Sequence, residues 1–279
     1  MIMKIIIANL ILIISLTACK QNNMELTKKE KAVAFIKSFE TGSSKVLAFI
    51  DEKIQSHNSG LPDGKSTYEG YFTDEPSGAT VGNVRVFEDH EFVIMHNHYE
   101  NVEGYPERIV TFDIVRFKDG KIIEHWDNVA EVQSQNSSGH TQIDGTTEVK
   151  DLNKTEANKR LVSDFVNTVL VEAQYDKMRN YFDGDNYIQH NPSIGDGLSS
   201  LSKDLEAMAK KRVTMDYNMN HKVLGEGNFV LAISEGVFAG KETSFYDLFR
   251  VENGKIAEHW DVIETIAKKD TWQNENGKF

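Results

Sequence analysis

The sequence predicts an α+β protein built from two tandem copies of one domain. Sixteen residues occur twice, as FDIVRFKDGKIIEHWD from Phe112 to Asp127 and as YDLFRVENGKIAEHWD from Tyr246 to Asp261, with nine identities at an offset of 134. In each copy, helical patterns come first and strand-like segments follow. Such a repeat indicates a duplicated domain, and helices followed by an antiparallel meander are typical of the α+β class.

Length and composition agree with two domains. The chain has 279 residues, of which 39% are hydrophobic, and this is enough for two domains of roughly 110 residues each. We predict domain 1 over residues 25–132, a linker over 133–153 and domain 2 over 154–279. The linker is rich in Ser, Thr, Asn and Gly, so it is predicted to be a flexible coil whose ends lie on the order of 25 Å apart.

Helices are indicated by a capping signal and by apolar stripes. Thr27 to Glu30 has the form of a capping box, and an apolar stripe follows it. Domain 2 begins with a similar stripe from Leu161 to Leu170. A further helix is predicted between Leu198 and Lys211, where apolar residues recur at helical spacing: Leu201, Leu205 and Met208.

Strands fill the rest of each copy. Two hairpin signals, Asp119-Gly120 and Asn253-Gly254, lie at the same place in the two copies. The predicted strands of domain 1 include 92–99, 108–118 and 121–131, and those of domain 2 are 213–224, 229–238, 243–252 and 255–265.

Alternation along the strands decides which side chains share a face. On the last strand, His259 and Asp261 point to one side and Trp260 points to the other. On the preceding strand, Asp247 shares a face with the apolar Phe249. Asp247 therefore either lines a cavity or forms a buried ion pair.

The N-terminus predicts export and lipidation. Lys4 precedes a twelve-residue, predominantly apolar stretch that is too short to span a bilayer, and Leu16-Thr17-Ala18-Cys19 follows it. These four residues resemble the bacterial lipobox, which implies a signal peptide over 1–18, lipidation at Cys19 and a tether over 19–24. An ordinary signal peptide followed by an unrelated cysteine is the alternative. Cys19 is the only cysteine, so no disulfide forms within one mature chain.

Charge bears on the partners. The chain has 31 Lys and Arg against 43 Asp and Glu, a formal net charge of −12, which disfavours binding to nucleic acid. The predicted partners are a small molecule and, through the N-terminal lipid, a membrane. By resemblance to bacterial lipoproteins, Lys20 after Cys19 lacks the Asp that signals inner-membrane retention. The predicted location is therefore the cell envelope, at the outer membrane.

The chain resembles the SnoaL-like, polyketide cyclase-like branch of the nuclear transport factor 2-like (NTF2-like) superfamily. The resemblance lies in the order of elements, in His190-Asn191-Pro192 with Asp196-Gly197 after it, and in the phrase from Asp247 to Asp261. It implies two cones, each a curved antiparallel sheet wrapped on helices around a pocket, and an intrachain pseudo-dimer formed through the sheets. Activities in the superfamily include aldol ring closure, ketosteroid isomerisation, dehydration and epoxide hydrolysis, and many members have no known activity.

The resemblance also implies that a pocket aspartate transfers the proton, and Asp247 is the leading candidate. A carboxyl group that is desolvated inside an apolar cone acquires a raised pKa, which suits proton transfer beside a carbonyl group. We predict that Asp261 positions His259 next to Asp247 as a further part of the catalytic site. In the alternative, Asp247 pairs with an arginine such as Arg250 or caps a turn. Glu258, His259 and Asp261 then tie the last strand to a neighbouring helix or to the other domain.

The remaining candidates are assigned to substrate binding. In domain 2, His190 and Asn191 either line the rim of the pocket or only form a turn. The candidates of domain 1, which has Ser59 in place of the proline, are His57, His96, His98, Asp113, His125 and Asp127.

His96 and His98 also resemble a metal-binding pair. The third ligand would have to come from His57, Asp113 or His125. No full ligand set stands out in the sequence, so a polar pocket lining is the favoured interpretation, and we predict no metal and no cofactor.

Three functions stay open. The first is a lyase- or isomerase-type enzyme of the cyclase kind, and the second is a binding module that uses the same pockets. In the third, domain 1 only covers domain 2. No Gly-rich phosphate loop, Ser-His-Asp order or nucleophilic cysteine is present, which disfavours a covalent mechanism. A water-excluding pocket in which Asp247 and His259 lie within hydrogen-bond reach would favour the enzyme.

Overall fold

The structure is a computed structural model, and it describes residues 25–279. The predicted signal peptide, Cys19 and the tether lie outside the described residues, so export and lipidation stay predictions. None of the helices in residues 25–279 has the length and apolar character of a membrane span.

Domain 1 packs a five-stranded sheet against two α-helices. Its elements are α1 (Lys28–Thr41), a 3₁₀-helix (Ser44–Phe49), β1 (Ile50–Ser56), α2 (Lys65–Tyr71), β2 (Thr80–Asp89), β3 (Phe92–Glu100), β4 (Arg108–Lys118) and β5 (Lys121–Glu131). The strand order is β1-β5-β4-β3-β2, in which β1 runs parallel to β5 and the other pairs are antiparallel. The predicted capping box begins α1, because Thr27 and Glu30 each bond the other's backbone N–H group.

Domain 2 repeats this topology. Its elements are α3 (Thr155–Phe165), a π-helical turn (Val166–Val171), a 3₁₀-helix (Tyr175–Tyr181), β6 (Ile188–Gln189), α4 (Gly197–Lys210), β7 (Met215–Glu226), β8 (Phe229–Phe238), β9 (Lys241–Glu252) and β10 (Lys255–Thr265). The order β6-β10-β9-β8-β7 matches that of the first sheet strand for strand. The predicted α+β class with two tandem copies is therefore confirmed.

Both predicted hairpins are present. Asp119 and Gly120 have φ values of 50° and 77°, and Asn253 and Gly254 have φ values of 51° and 73°. Two successive residues with positive φ match the twist of the flanking strands, and Asn, Asp and Gly are the residues that adopt this conformation most readily. The turns connect β4 to β5 and β9 to β10, and a bulge close to each turn shifts the register of the strand pairs that carry the repeated phrase.

The core has three parts. One lies between the sheet and the helices of domain 1, a second lies at the same place in domain 2, and a third lies between the two sheets. The third part contains large apolar side chains from both domains: Phe87, Phe112, Trp126, Phe229, Tyr246 and Trp260. Each sheet is therefore covered on both faces, by its own helices on one side and by the other sheet on the other.

The linker differs from the predicted flexible coil. In place of solvated backbone, it makes regular contacts with domain 2: the carbonyl of Asp144 accepts a hydrogen bond from Trp260 Nε1 at 2.9 Å, and Lys150 N donates to Asn228 Oδ1 at 2.7 Å. Some of its polar side chains, such as Asn136 and Ser138, have hydrogen-bond partners in the fold, and its Ile143 and Val149 pack against the core between the sheets. The flexible coil predicted from the composition is therefore wrong.

Candidate functional site

Domain 2 encloses a cavity of about 620 Å³ between its sheet and its helices. The wall is mostly apolar and includes Phe165, Met178, Phe182, Leu201, Leu205 and Phe249. A few polar groups converge at one end of it: Gln189, Asn191, Tyr217, Asp247, His259 and Asp261. An apolar cavity with a small number of convergent polar groups is the usual form of a small-molecule site. A second, more polar depression of about 750 Å³, lined by Asp183, Asp185 and Arg250, contains none of the Asp247, His259 or Asp261 side chains.

Asp247 and His259 form a hydrogen-bonded dyad at the polar end of the cavity. His259 Nε2 lies 3.0 Å from Asp247 Oδ1, and the two side chains are buried. The antiparallel register pairs Asp247 with Asp261 and Phe249 with His259, so His259 is a diagonal neighbour of Asp247 on the same face. Alternation within each strand predicted this pair, and the bulge between Ile256 and Glu258 brings the two strands into the register that forms it.

Gln189 determines which nitrogen of His259 carries a proton. His259 Nδ1 lies 3.0 Å from Gln189 Oε1, which also accepts hydrogen bonds from the backbone N–H groups of His190 and Asn191 at 2.9 Å. An amide oxygen only accepts, so Nδ1–H donates to it, and the hydrogen bond between Nε2 and Asp247 requires a second proton, on either the imidazole or the carboxyl group. The prediction that Asp261 positions His259 is therefore wrong in its partner, because Gln189 on β6 supplies that bond.

Asp261 lies beside the dyad and has a different partner. Its Oδ2 accepts a hydrogen bond of 2.7 Å from Asn191 Nδ2. Burial raises the pKa of Asp261, with an opposing effect of His259 and a further upward effect of the neighbouring Asp247 carboxylate. Two carboxyl groups and one imidazole in a low-dielectric site form a group whose members influence each other's protonation.

Two tyrosines complete the polar end. The Tyr217 hydroxyl donates to the Asp247 carboxylate at 3.2 Å, and the Tyr187 hydroxyl accepts from Gln189 Nε2 at 3.1 Å. Burial raises the pKa of both phenols well above their ordinary value, so both hydroxyl groups remain neutral at physiological pH. Sequence reasoning missed Tyr217, since β7 has no repeat signal and the contact depends on how the sheet curves.

His190 lies outside the cavity, which corrects the prediction of a rim position. It is fully buried on the opposite side of β10, stacked on Trp260 with ring centroids 4.5 Å apart. Its Nε2 lies 2.9 Å from Glu258 Oε1 and its Nδ1 lies 2.8 Å from the carbonyl oxygen of Thr141 in the linker. Asn191 lines the cavity, so the two adjacent residues face different sides.

Glu258 depends on this histidine, and we expect it to shape the stability at acidic pH. Although burial alone raises the pKa of Glu258, the hydrogen bonds from His190 and Arg250 outweigh it and lower the pKa from 4.5 to about 2. A lowered folded-state pKa stabilises the fold above pH 4.5, and this contribution is lost as the pH falls toward 2. Glu258→Gln should flatten the dependence of Tm on pH across this window.

Thermal unfolding monitored by circular dichroism between pH 2 and 6 checks this expectation. Glu124→Gln removes the same charge at the equivalent position of domain 1, where Glu124 contacts Arg116 at 2.6 Å, and serves as the control. If Glu258→Gln leaves the dependence of Tm on pH unchanged, the stabilising role of the Glu258 carboxylate is contradicted.

Domain 1 repeats the site residues but has a filled cone. His125 Nε2 lies 3.2 Å from Asp113 Oδ1, and Asn58 Nδ2 donates to Asp127 Oδ2 at 2.6 Å, as in domain 2. The fully buried Tyr68, however, places its hydroxyl 3.3 Å from His125 Nδ1. The other oxygen of Asp113 accepts hydrogen bonds from side chains of the domain itself: Asn97, Tyr99 and Thr111. Asp113 and His125 therefore already have hydrogen-bond partners within domain 1.

His57 and His96 of domain 1 lie on the face of its sheet that meets the other sheet, against Trp126 and Phe112 of the core between the sheets. His57 stacks on Trp126 with ring centroids 4.3 Å apart, and burial lowers the pKa of His57. His96 stacks on Phe112 at 4.5 Å, and burial lowers its pKa well below the ordinary value. The predicted pocket lining by these residues is therefore not what the structure shows.

The same alternation removes the metal hypothesis for His96 and His98. On β3, Asn97 between them donates to Asp113 inside the cone, so the two histidines point to the face away from Asp113. A ligand set that combines them with Asp113 or His125 cannot form. Within residues 25–279, the His and Asp groups close enough to share an ion are Asp247/His259/Asp261, Asp113/His125/Asp127 and His140/Asp144/His190.

Comparison with known proteins yields matches only among solved structures. No family model matches the sequence, and no curated protein matches it. A candidate polyketide cyclase from Bacillus cereus ATCC 10987 is 20% identical, with a TM-score of 0.31 over 37% of this chain and 78% of its own. An NTF2-like protein of unknown function from Cytophaga hutchinsonii ATCC 33406 is 21% identical, with a TM-score of 0.31 over 43% of this chain and 95% of its own.

A third match is a hypothetical protein with a ketosteroid isomerase-like fold from Catenulispora acidiphila DSM 44928. It is 14% identical, with a TM-score of 0.30 over 36% of this chain and 85% of its own. All three matches cover less than half of this chain and most of the matched chain.

Proposed function

We propose that domain 2 binds a small, partly apolar molecule and transfers a proton on it, with Asp247 and His259 as the acid/base pair. The observation that supports this proposal is the buried dyad at the polar end of an otherwise apolar cavity. A carboxylate that faces such a cavity is shielded from bulk water. This shielding favours proton transfer between the carboxylate and a carbon atom of the ligand. The apolar wall accounts for the body of the ligand, and the polar end accounts for its reactive group.

The chemistry that fits this arrangement is proton abstraction beside a carbonyl group. Asp247 accepts the proton as the C–H bond breaks, and the electron pair moves onto the carbonyl oxygen as an enolate. Return of the proton to another atom completes an isomerisation. In the other course, the enolate carbon attacks a second carbonyl group of the same molecule, a ring closes, and the resulting alkoxide takes up the proton from Asp247. Neither step requires a cofactor, an oxidant or a covalent enzyme intermediate.

Identification of the natural ligand tests the proposal most directly. Residues 25–279 would be produced in the native host and analysed by native mass spectrometry, with release of any bound molecule under denaturing conditions. A bound carbonyl compound that fits a 620 Å³ cavity is the expected result. A chain that carries no such molecule, and whose NMR spectrum no carbonyl compound of this size changes, would contradict the proposal.

A binding protein without catalysis is the second candidate function. It is favoured by the hydrogen bonds that Asp247 already makes to Tyr217 and His259, because a carboxylate with two partners can also be a structural group. Domain 1 gives a precedent within the same chain, since its equivalent dyad is enclosed by the fold. The two functions differ in what the loss of the Asp247 carboxylate does to turnover.

We further propose that domain 1 is a structural partner and that the two domains form a pseudo-dimer. The side-chain amide of Asn128 supports this, because it is fully buried and donates to the carbonyls of Ser244 at 3.2 Å and Val262 at 2.5 Å across the sheets. One chain should then behave as a single compact particle. Small-angle scattering of residues 25–279 checks this, and a profile of two independently moving lobes would contradict it.

We propose, finally, that the protein is an exported lipoprotein of the cell envelope, at the outer membrane. The proposal rests on the lipobox-like residues before Cys19. It predicts that lipidation holds the chain at the membrane, and stable anchoring needs more than one acyl chain. Expression of Cys19→Ala in the native host followed by membrane fractionation should move the protein to the soluble fraction. A variant that stays fully membrane-bound would refute it.

A further inference from the structure

The two domains exchange the segments that follow their last strands. We name residues 135–141 the linker tail and residues 273–278 the C-terminal tail; they read QNSSGHT and QNENGK. The linker tail follows domain 1 and lies against domain 2, whereas the C-terminal tail follows domain 2 and lies against domain 1. The shared pattern Gln-Asn-x-x-Gly is a second repeat, at an offset of 138, and it escaped the sequence reasoning because it lies in loops.

Asn136 is the central residue of the linker tail. Its buried side-chain amide donates to the carbonyl oxygens of Gln189 at 2.6 Å and Ile194 at 2.9 Å, with Asn191 O at 3.4 Å. Its Oδ1 accepts from the N–H groups of Ser138 and His140, both at 3.0 Å. Asn136, a linker residue that follows domain 1, therefore holds residues 189–194 of domain 2 in place.

That loop supplies the groups that orient the candidate site. The Gln189 side chain holds Nδ1 of His259 at 3.0 Å, and the Asn191 side chain holds Asp261 at 2.7 Å. Asn136 binds the backbone carbonyl groups of these same two residues, Gln189 and Asn191. A single residue, Gln189, therefore connects Asn136 to the His259 imidazole.

We propose that Asn136 is a positioning residue for the dyad, so that domain 1 completes the site of domain 2 through its tail. The inference rests on the proposed role of Asp247 and His259. Its physical basis is that Gln189 fixes the His259 tautomer only while its own backbone is held, and that a displacement of about 1 Å at a catalytic group can lower a rate on the order of 10²-fold.

The C-terminal tail offers a matched control. Asn274 is also buried, and its amide donates to the carbonyl oxygens of Asn58 at 2.8 Å and Leu61 at 2.9 Å, the equivalents of Asn191 and Ile194. The carbonyl oxygen of Ser56, the equivalent of Gln189, accepts instead from Asn276 Nδ2 at 2.8 Å. Asn274→Ala thus removes the same kind of bonds from a domain whose cone is filled. A general loss of stability and a specific loss of positioning can therefore be separated within one chain.

The experiment compares Asn136→Ala with Asn274→Ala in residues 25–279. Long-range ¹H–¹⁵N NMR spectra report the protonation of each imidazole nitrogen, and His259→Gln identifies the signals of His259. Both variants should lower Tm by a few degrees. Only Asn136→Ala should reduce the Nδ1–H form of His259, and with a known substrate it should lower kcat about tenfold or more.

Unchanged His259 signals in Asn136→Ala, or equal changes in both variants, would overturn the inference. If Asn136→Ala does not fold, Asn136→Ser, which keeps one donor, is measured by the same criteria. The NMR result does not depend on turnover. A failure of positioning is therefore distinguishable from a failure of the proposed function, which the Asp247 variant tests.

Discussion

Replacement of Asp247 by Asn is expected to lower turnover on the ligand of domain 2 by about 10² or more, the usual scale for a general acid/base group. The amide has the shape of the carboxylate and can still accept from Tyr217, so folding and ligand binding should stay nearly unchanged. What it loses is the capacity to accept a proton. The measurement is kcat and Kd for the same compound, with Tm recorded for both chains.

A purely structural Asp247 would give the reverse pattern. Turnover would persist, while Tm would fall by several degrees, because a broken buried hydrogen bond costs about 1 to 3 kcal/mol. Asp113→Asn in domain 1 is the matched control, since Asp113 makes the same contact to a histidine inside a filled cone. We expect it to lower Tm and to leave turnover unaffected. Unchanged turnover in Asp247→Asn would remove Asp247 from the mechanism.

The dyad was predictable because it depends only on local geometry. The Asn253-Gly254 turn pairs two adjacent strands, and a one-residue bulge between Ile256 and Glu258 shifts their register so that Asp247 and His259 share one face. Gln189 and Tyr217 could not be found in this way. They come from strands that are distant in sequence, and their reach toward the dyad depends on the curvature of the sheet and on the loop after β6.

The histidine predictions of domain 1 failed for a related reason. Alternation separates the two faces of β3 but does not say which face meets the helices, and both faces are buried in this chain. The strand shows this directly, since the run from Val93 to Asn97 is buried without interruption. The sequence therefore predicts that a polar residue such as His96 lines a pocket. In the structure, His96 is packed between the two sheets.

The difference between the two cones is concentrated at one position. Tyr68 on α2 and Leu201 on α4 occupy the same place in the repeat, at an offset of 133. Tyr68 is fully buried and packs beside His125, whereas Leu201 lines the cavity of domain 2. The larger side chain closes one cone, and the smaller one contributes to leaving the other open.

Leu201→Tyr should therefore close the cavity of domain 2 and abolish ligand binding. The added ring enters existing empty space, so it need not displace packed atoms, and the overpacking cost of about 1 to 3 kcal/mol that applies to a filled core is largely avoided. We expect Kd to rise by about 10² or more, with Tm equal to or above that of the unmodified chain. Calorimetric titration of the copurifying molecule, alongside thermal unfolding, measures both.

Tyr68→Leu is the reciprocal control. It removes a ring and a hydroxyl from a packed core, leaves His125 Nδ1 without its partner, and should cost about 2 to 4 kcal/mol of stability through the cavity it creates. Ligand binding by domain 2 should be unaffected by it, because the two cones lie on opposite sides of the paired sheets. Because Leu201→Tyr alters the cavity and leaves the dyad intact, unchanged affinity in that variant would show that the ligand binds elsewhere.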